Sequence, residues 1–277
     1  MASQHDKALA FRALHAQPGA FVCPNPWDAG TAILLQQMGF KALATTSAGL
    51  AFALGRPDGQ NAVSREETLA NAASIVAATD LPVSADLENG FGDAPEACAE
   101  TIRSAIAVGL AGGSIEDATG RPDEPIHGIE AAASRVQAAA EAAHGGTVPF
   151  LLTARAENFL HGGPDLKDTI RRLQAYQEAG ADVLFAPGLR QPDDIRAVTS
   201  SVDRPVNVVM GLAGVRLSVT ELAALGVRRI SIGGSLARAA LGSFLAAARE
   251  IRDAGSFAYA DAAVPHGEIN AIFAGWR

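Results

Sequence analysis

Short runs of apolar and β-branched residues recur along the chain, and the stretches between them place apolar residues every three to four positions. The runs are Ala20–Cys23, Ala42–Thr46, Pro82–Glu88, Gly113–Asp117, Pro149–Ala156, Val183–Pro187, Pro205–Met210 and Arg228–Gly233. Near-continuous apolar runs of this kind suit parallel strands covered on both faces. Helical spacing marks Arg65–Thr79, Ala94–Val108, Ile129–Ala143, Leu166–Ala179, Pro192–Ser200 and Thr220–Leu225. Gly39, Gly109, Gly180 and Gly226 fall between a helical stretch and the next run. Each suits the left-handed residue that ends a helix. Eight β/α pairs in this order predict an α/β fold, the (β/α)8 TIM barrel, as a single domain over residues 1–277. A doubly wound sheet is the alternative, but no G-x-G-x-x-G turn follows the first strand.

Both ends extend past the barrel. Residues 1–17 read as an extra helix over its base, and Ser235–Asp253 as the eighth helix. In the extension 254–277, Ile269, Ile272, Phe273 and Trp276 form an apolar stripe. That stripe packs on its own barrel or on a neighbouring subunit.

Of the 277 residues, 48% are hydrophobic and 19% charged, enough for a large core. A net charge of −8, without basic runs, argues against nucleic acid and anionic membranes as partners. It does not argue against a small anionic substrate held by a few local cations. Cys23 and Cys98 show no metal-type or paired spacing, which suits a reducing cytoplasm. The N-terminus lacks a basic region followed by an apolar one, and no apolar run is long enough to cross a bilayer.

Barrel chemistry gathers at the C-terminal ends of the strands. There the sequence places Asn25, Trp27 and Asp28; Thr45, Thr46 and Ser47, with Asp58 further on; Asp86 and Glu88; Glu116 and Asp117; Arg155 and Glu157; Asn207; and Gly233, Gly234 and Ser235. Asp86 and Glu88, spaced i, i+2, would share one face of a strand. Two acids held together call for a hard cation with oxygen ligands, most simply Mg²⁺. Arg155 can bind a carboxylate through two parallel hydrogen bonds, and the Thr45–Ser47 turn supplies further donors. One metal, one arginine and several acids suit an anionic substrate and enolate chemistry. Plainer roles compete. Asp28 reads as a helix cap, Asp117 as a loop anchor, Glu157 as a partner of Arg155, and Gly233–Ser235 as a tight turn or a phosphate cradle. His5, His15, His144 and His266 read as surface residues, whereas His127 and His161 fall in loops that reach the mouth.

Together these stretches resemble the isocitrate lyase/phosphoenolpyruvate mutase superfamily, in particular its short bacterial members. The matching pieces are Leu54–Asp58, Asp86–Gly92, Ile115–Asp117, Thr153–Glu157 and Ala175–Asp182. The resemblance spans about residues 20–250. It implies a Mg²⁺ site, or Mn²⁺ in its place, at Asp86 with Glu88, Asp58 and Glu116. It also implies a carboxylate pocket from Thr45, Thr46, Ser47 and Arg155, with Trp27 beside the substrate; Asn207, at the end of strand seven, is a further candidate substrate contact. A homotetramer or dimer, with the last barrel helix exchanged between subunits, is implied too.

The chain also departs from that pattern. The family's Asp-x-Asp is here Asp86-Leu87-Glu88. The lyases' Lys-x-Cys-Gly-His loop, and the Lys and Asn of the phosphonate enzymes, are replaced by Ala118–Gly128 without cysteine. The lyases' glutamate after strand six is replaced by Phe185-Ala186-Pro187-Gly188. The expected activity is a Mg²⁺-dependent lyase cleaving a C–C bond beside a 2-oxo or 2-hydroxy carboxylate. Arg155 would hold the substrate, and His127 or Glu157 would act as base. The Ala118–Gly128 loop is expected to be a mobile lid. Phosphonate P–C chemistry and a non-catalytic 2-oxo acid binder are the alternatives.

Overall fold

The computed structural model describes residues 2–161 and 163–275; Trp276 of the predicted stripe lies outside them. Eight parallel strands form the sheet: β1 (Phe21–Cys23), β2 (Leu43–Ala44), β3 (Val83–Asp86), β4 (Gly112–Glu116), β5 (Leu151–Arg155), β6 (Val183–Phe185), β7 (Val206–Val209) and β8 (Arg229–Ser231). The ladder runs β1-β8-β7-β6-β5-β4-β3-β2. Between β1 and β2 the Ala44 N–H donates to Pro24 O at 3.0 Å, and Asn25 Nδ2 to Thr45 O at 2.8 Å. These bonds bring the two edges together, so the sheet is a nearly closed barrel.

Around it lie α1 (Gln4–Ala16), α2 (Ala29–Gln37), α3 (Ser47–Ala53), α4 (Arg65–Ala77), α5 (Pro95–Ala107) and α6 (Ile129–His144). Then come α7 (Asn158–His161), α8 (Leu166–Glu178), α9 (Pro192–Ser200), α10 (Val219–Ala224), α11 (Ser235–Ala254) and α12 (His266–Ala274). The period-two alternation of the strands sorts the side chains. Leu87, Ile115, Leu152, Ala154, Leu184, Val208 and Ile230 face outward and pack with the helices into the main core. The residues between them point into the barrel and are small or polar: Ser84, Ser114, Thr153, Asn207 and Ser231.

Helix α1 closes the base as expected. Phe11, fully buried, packs with Ala8, Cys23, Ala42, Leu151 and Val183. A β-carbon on Gly112 would stand 3.0 Å from the Phe11 ring and 2.9 Å from Leu151 O, so glycine is required beneath this plug. Burying a phenylalanine this fully contributes roughly 1.5–3 kcal/mol.

Several expectations need correcting. His15 is not a surface residue. It is buried, edge-on to Phe11 and Phe21 with ring centroids at 4.7 and 5.0 Å. His144 is exposed as expected, although it pairs with Asp182 at 2.9 Å. The Thr45–Ser47 turn is the start of α3, which Thr46 caps by accepting the Gly49 N–H at 3.2 Å. The Pro82–Glu88 run stops being a strand at Asp86. Asp28, by contrast, is the expected helix cap, with a full capping box on α2.

The tail divides. Helix α12 lies on α2, where a β-carbon at Gly30 would meet the Phe273 ring at 3.8 Å. By contrast α11 buries only Ala237 in its 20 residues and leaves Phe244 68% exposed.

Candidate active site

The strands' C-terminal ends open on a cavity of about 550 Å³ whose lining includes Thr45, Thr46, Ser47, Asp58, Asp86, Arg155 and Asn207. A second cavity of about 550 Å³ adjoins the same acid cluster, between the 59–61 and 118–125 segments. It is lined by Glu88, Glu116 and His161 among others.

Arg155 lies between the two. Its Nη1 is 2.8 Å from Asp86 Oδ1, its Nη2 3.1 Å from Glu116 Oε2 and its Nε 2.8 Å from Glu157 Oε1. The strand register puts Arg155 directly beside Glu116. Burial alone would pull the guanidinium pKa down; Glu157, Glu116 and Asp86 together hold it well above its ordinary value. The acids carry the opposite stress. Burial, then Asp86 and Asp58, push Glu88 up to about 7. Burial also pushes Glu157 up to about 7 and raises Glu116 well above the usual carboxylate range, with Arg155 opposing both. Asp58 is raised by burial and by Asp86, against a hydrogen bond from Ser47. Asp58, Glu88, Glu116 and Glu157 are thus all held above the ordinary carboxylate range, by burial first and by neighbouring acids second.

Asp86 is held on both sides. Its backbone N–H donates to Thr45 Oγ1 at 3.0 Å, and its Oδ2 accepts the Ser47 N–H at 3.2 Å. Glu88 does not share a strand face with it. Its φ of 48° is left-handed, and with Gly90 at 78° and Phe91 at 60° it turns the chain sharply after β3. A non-glycine residue in that region carries strain of order 1–3 kcal/mol. The turn is tied down by the buried Arg135, whose Nη1 donates to Gly92 O and Asp93 O at 2.6 Å each and whose Nη2 reaches Asn89 O. Nothing in the sequence around Arg135 marks this role.

Behind the acids lies a buried network. Asp117 Oδ1 accepts the Glu157 N–H at 2.8 Å; its Oδ2 accepts from Arg172 Nη1 at 3.0 Å and Tyr176 Oη at 2.5 Å. Asp117 therefore anchors the β4 and β5 ends and lines neither cavity. Glu157, 1% exposed, supports Arg155 from behind.

The remaining predicted residues are placed less uniformly. Asn207 lines the main cavity, with its Oδ1 taken by Arg229 Nε at 2.9 Å. Trp27 sits behind α3, where a β-carbon on Gly49 would be 2.8 Å from its Cβ, and is not in the cavity lining. His127 lines neither cavity; its ring is 3.6 Å from Asp93 and its carbonyl accepts from Arg172. The histidine at the mouth is His161, with Nε2 4.0 Å from Glu157 Oε2. The Ala118–Gly128 loop is a knit hairpin despite its glycines and prolines. Ala118 bridges Ile126, Thr119 N–H donates to Pro125 O at 3.0 Å, and Arg121 pairs with Asp93 at 2.7 Å. Arg229, buried inside the barrel, is a lining residue the sequence reading missed. It looked like one more strand residue, and its inward direction depended on register.

A barrel whose mouth gathers a shared arginine, stressed acids and a polar cavity defines an enzyme, and comparison with known proteins gives its class. The family model described as phosphoenolpyruvate phosphomutase matches residues 11–252, so the chain belongs to this family of the isocitrate lyase/PEP mutase superfamily. It is similar to a solved candidate lyase/mutase from Burkholderia cenocepacia J2315, at 61% identity over 98% of this chain and 97% of that one, TM-score 0.95. The 2-methylisocitrate lyase of Escherichia coli K12 is 31% identical over 74% of this chain and 70% of its own. A phosphonopyruvate hydrolase solved with oxalate and Mg²⁺ is 28% identical, covering 97% of this chain and 95% of that one, TM-score 0.85.

Proposed function

We propose that the protein is a Mg²⁺-dependent lyase that breaks a C–C bond beside the carboxylate of a 2-oxo or 2-hydroxy acid. The observation that carries this reading is the convergence of Asp58, Asp86, Glu88 and Glu116 around one arginine, with Asp58, Glu88 and Glu116 raised above ordinary carboxylate pKa values. Among the described residues no three acids or histidines lie close enough to ligate one ion directly. An all-oxygen set of this kind would have to reach a hard cation such as Mg²⁺ largely through the ion's own waters. Asp86 would hold it, with Glu88, Asp58 and Glu116 acting through water. When bound, such a cation polarises the substrate's 2-oxo oxygen and offsets negative charge that develops there.

The chain's own residues supply the rest. Arg155 orients the substrate carboxylate, sharing its fork with Asp86, Glu116 and Glu157. Thr45 and Ser47 fix Asp86 by hydrogen bonds from or to the backbone. Asn207 lines the floor. For a 2-hydroxy acid, we infer that His161, which lines the adjoining cavity 4.0 Å from Glu157, takes the hydroxyl proton. Decarboxylation of a 2-oxo diacid would need no base.

The similarity to phosphonopyruvate hydrolase supports a second reading, P–C bond cleavage. We also infer a homo-oligomer built through α11, because that helix leaves Leu241, Phe244 and Leu245 uncovered; light scattering that found a monomer at micromolar concentration would end that part. The main test is calorimetry with oxalate. Binding should require Mg²⁺ and be lost in Asp86→Asn. Equal affinity in EDTA, or an unaffected variant, would remove the metal assignment. Turnover over a panel of 2-oxo acids, 2-hydroxy acids and phosphonopyruvate then separates C–C from P–C chemistry and from a binder without activity.

A further inference from the structure

A cavity of about 650 Å³ lies at the other end of the barrel, among the N-terminal ends of β5, β6 and β7. One wall is α1, where Arg12, His15 and Ala16 share a helix face through their three- and four-residue spacing. The other walls are the segment from the end of α6 to Leu151, Asp182 before β6, and Arg204 before β7. Its volume is that of a site for a small organic molecule. It shares no lining residue with the cavity at the mouth.

Two features of this lining point to a ligand. The first is its charge. Arg12 and Arg204 are exposed and, among the described residues, neither forms an ion pair. The chain as a whole carries −8, so two unpaired guanidiniums on one cavity reverse its charge locally. The acid in the lining, Asp182, is already engaged. Its Oδ2 accepts the Leu152 N–H at 2.8 Å and lies 2.9 Å from His144 Nε2. The second feature is His15, 5% exposed. Its Nδ1 is 2.8 Å from Phe11 O, which can only accept, so Nδ1 carries the proton and Nε2 is an acceptor. That Nε2 is buried without a partner. An unpaired buried acceptor costs free energy that a donor would restore.

We propose that this basal cavity binds a small phosphate monoester that carries free hydroxyl groups. Arg12 and Arg204 come from different elements and present planar donor forks. Together these suit the several oxygens of a phosphate dianion better than the two of a carboxylate. A hydroxyl on the ester's organic part donates to His15 Nε2. Chemistry in this fold sits at the strands' C-terminal ends, so an occupant of the base is a ligand and not a substrate. The inference is independent of the lyase reading, which concerns the other end of the barrel.

The test is calorimetry on the full chain in EDTA, at about pH 8, where a phosphate monoester is a dianion. The probes are glycerol 3-phosphate, propyl phosphate and glycerate. Wild type should bind glycerol 3-phosphate with Kd below about 1 mM. Propyl phosphate, which lacks the hydroxyls, should bind about five-fold weaker, the size of one net hydrogen bond. Glycerate should bind about ten-fold weaker or more. The Arg12→Gln/Arg204→Gln double variant should lose about ten-fold or more in affinity for both esters. Arg12→Lys/Arg204→Lys, which keeps the charge, should retain part of it. His15→Phe, which keeps a ring under the barrel, should bring the two esters to equal affinity. If glycerol 3-phosphate does not bind, or the glutamine variant binds it as wild type does, the site is overturned. Glycerate binding as tightly as the phosphate would overturn the ligand class, and a gap that persists in His15→Phe would overturn the hydroxyl contact. Oxalate affinity with Mg²⁺, measured on the same variants, should not change; its absence in wild type would end the lyase reading and leave the basal site standing.

Discussion

Asp86 and Arg155 are 69 residues apart in the chain, yet Arg155 Nη1 donates to Asp86 Oδ1 at 2.8 Å. The pair joins the end of β3 to the end of β5 across the intervening β4, whose Glu116 meets the same guanidinium. On the proposed reading, cation retention and carboxylate recognition would be coupled, because Asp86 and the substrate carboxylate would share one guanidinium.

Arg155→Lys should be damaging for this reason. An ammonium is a point charge and cannot span three acids and a planar carboxylate at once. Oxalate affinity with Mg²⁺ should fall by about 1.5–3 kcal/mol, the range for charge-assisted hydrogen bonds. Calorimetry on a variant whose circular dichroism matches wild type would check it. Near-normal affinity in the lysine variant would mean Arg155 serves the fold and not the ligand.

The two loop histidines should separate cleanly. His161→Gln should cut turnover of a 2-hydroxy acid about a hundred-fold, the lower end of general-base contributions, and leave oxalate affinity unchanged. His127→Gln should leave both within about two-fold, the expectation for a site away from the reacting groups. A large loss in His127→Gln with none in His161→Gln would reverse the assignment made from the cavity lining.

The Asp117 network should appear in stability before activity. Tyr176→Phe removes a hydrogen bond to a buried carboxylate, at about 1.5–3 kcal/mol. Asp117→Ala leaves Arg172 with one fewer partner and frees the Glu157 N–H, at roughly 3–5 kcal/mol for a broken buried pair. Urea unfolding with an unchanged m-value gives both numbers. If the two variants were equally stable to wild type, the network would not be holding the β4 and β5 ends.

Much of the barrel was legible because its signals are local. Apolar runs separated by helical spacing, with glycines at the joints, mark strand and helix wherever they occur. The same regularity let Asp86, Glu116 and Arg155 be placed at one mouth. What escaped depended on backbone angle or on distant partners. Glu88 was read as extending the strand, but its left-handed φ turns it toward the neighbouring cavity. Arg135 and Arg229 act through long-range contacts to Asn89, Gly92 and Asp93 in one case and Asn207 and Thr153 in the other. No spacing rule pairs such residues. His15 misled for a simpler reason: a polar ring late in an N-terminal helix looks solvated until the helix is seen to plug the barrel.

That histidine gives the pH prediction. Burial, and then the charge of Arg229, push His15 from its ordinary 6.5 down to about 3, while its bond to Phe11 O acts the other way. It is therefore neutral in the fold and protonates more readily in the unfolded chain. A group with a depressed folded pKa contributes fully above its unfolded value, here about pH 6.5, and loses that contribution as pH falls toward about 3. Within this window the loss approaches ~1.4 kcal/mol per pH unit for one buried proton, as an upper slope. Carboxylates titrate over part of the same range, so the measurement must be a difference. His15→Leu removes the titration and keeps an apolar side chain under the barrel. Its urea-unfolding free energy should converge on, or overtake, that of wild type between pH 6.5 and 4, whatever their gap at pH 8. Below about pH 3 the two curves should run parallel again. Parallel curves across the whole range would mean that His15 takes up its proton in the folded protein as easily as in the unfolded chain.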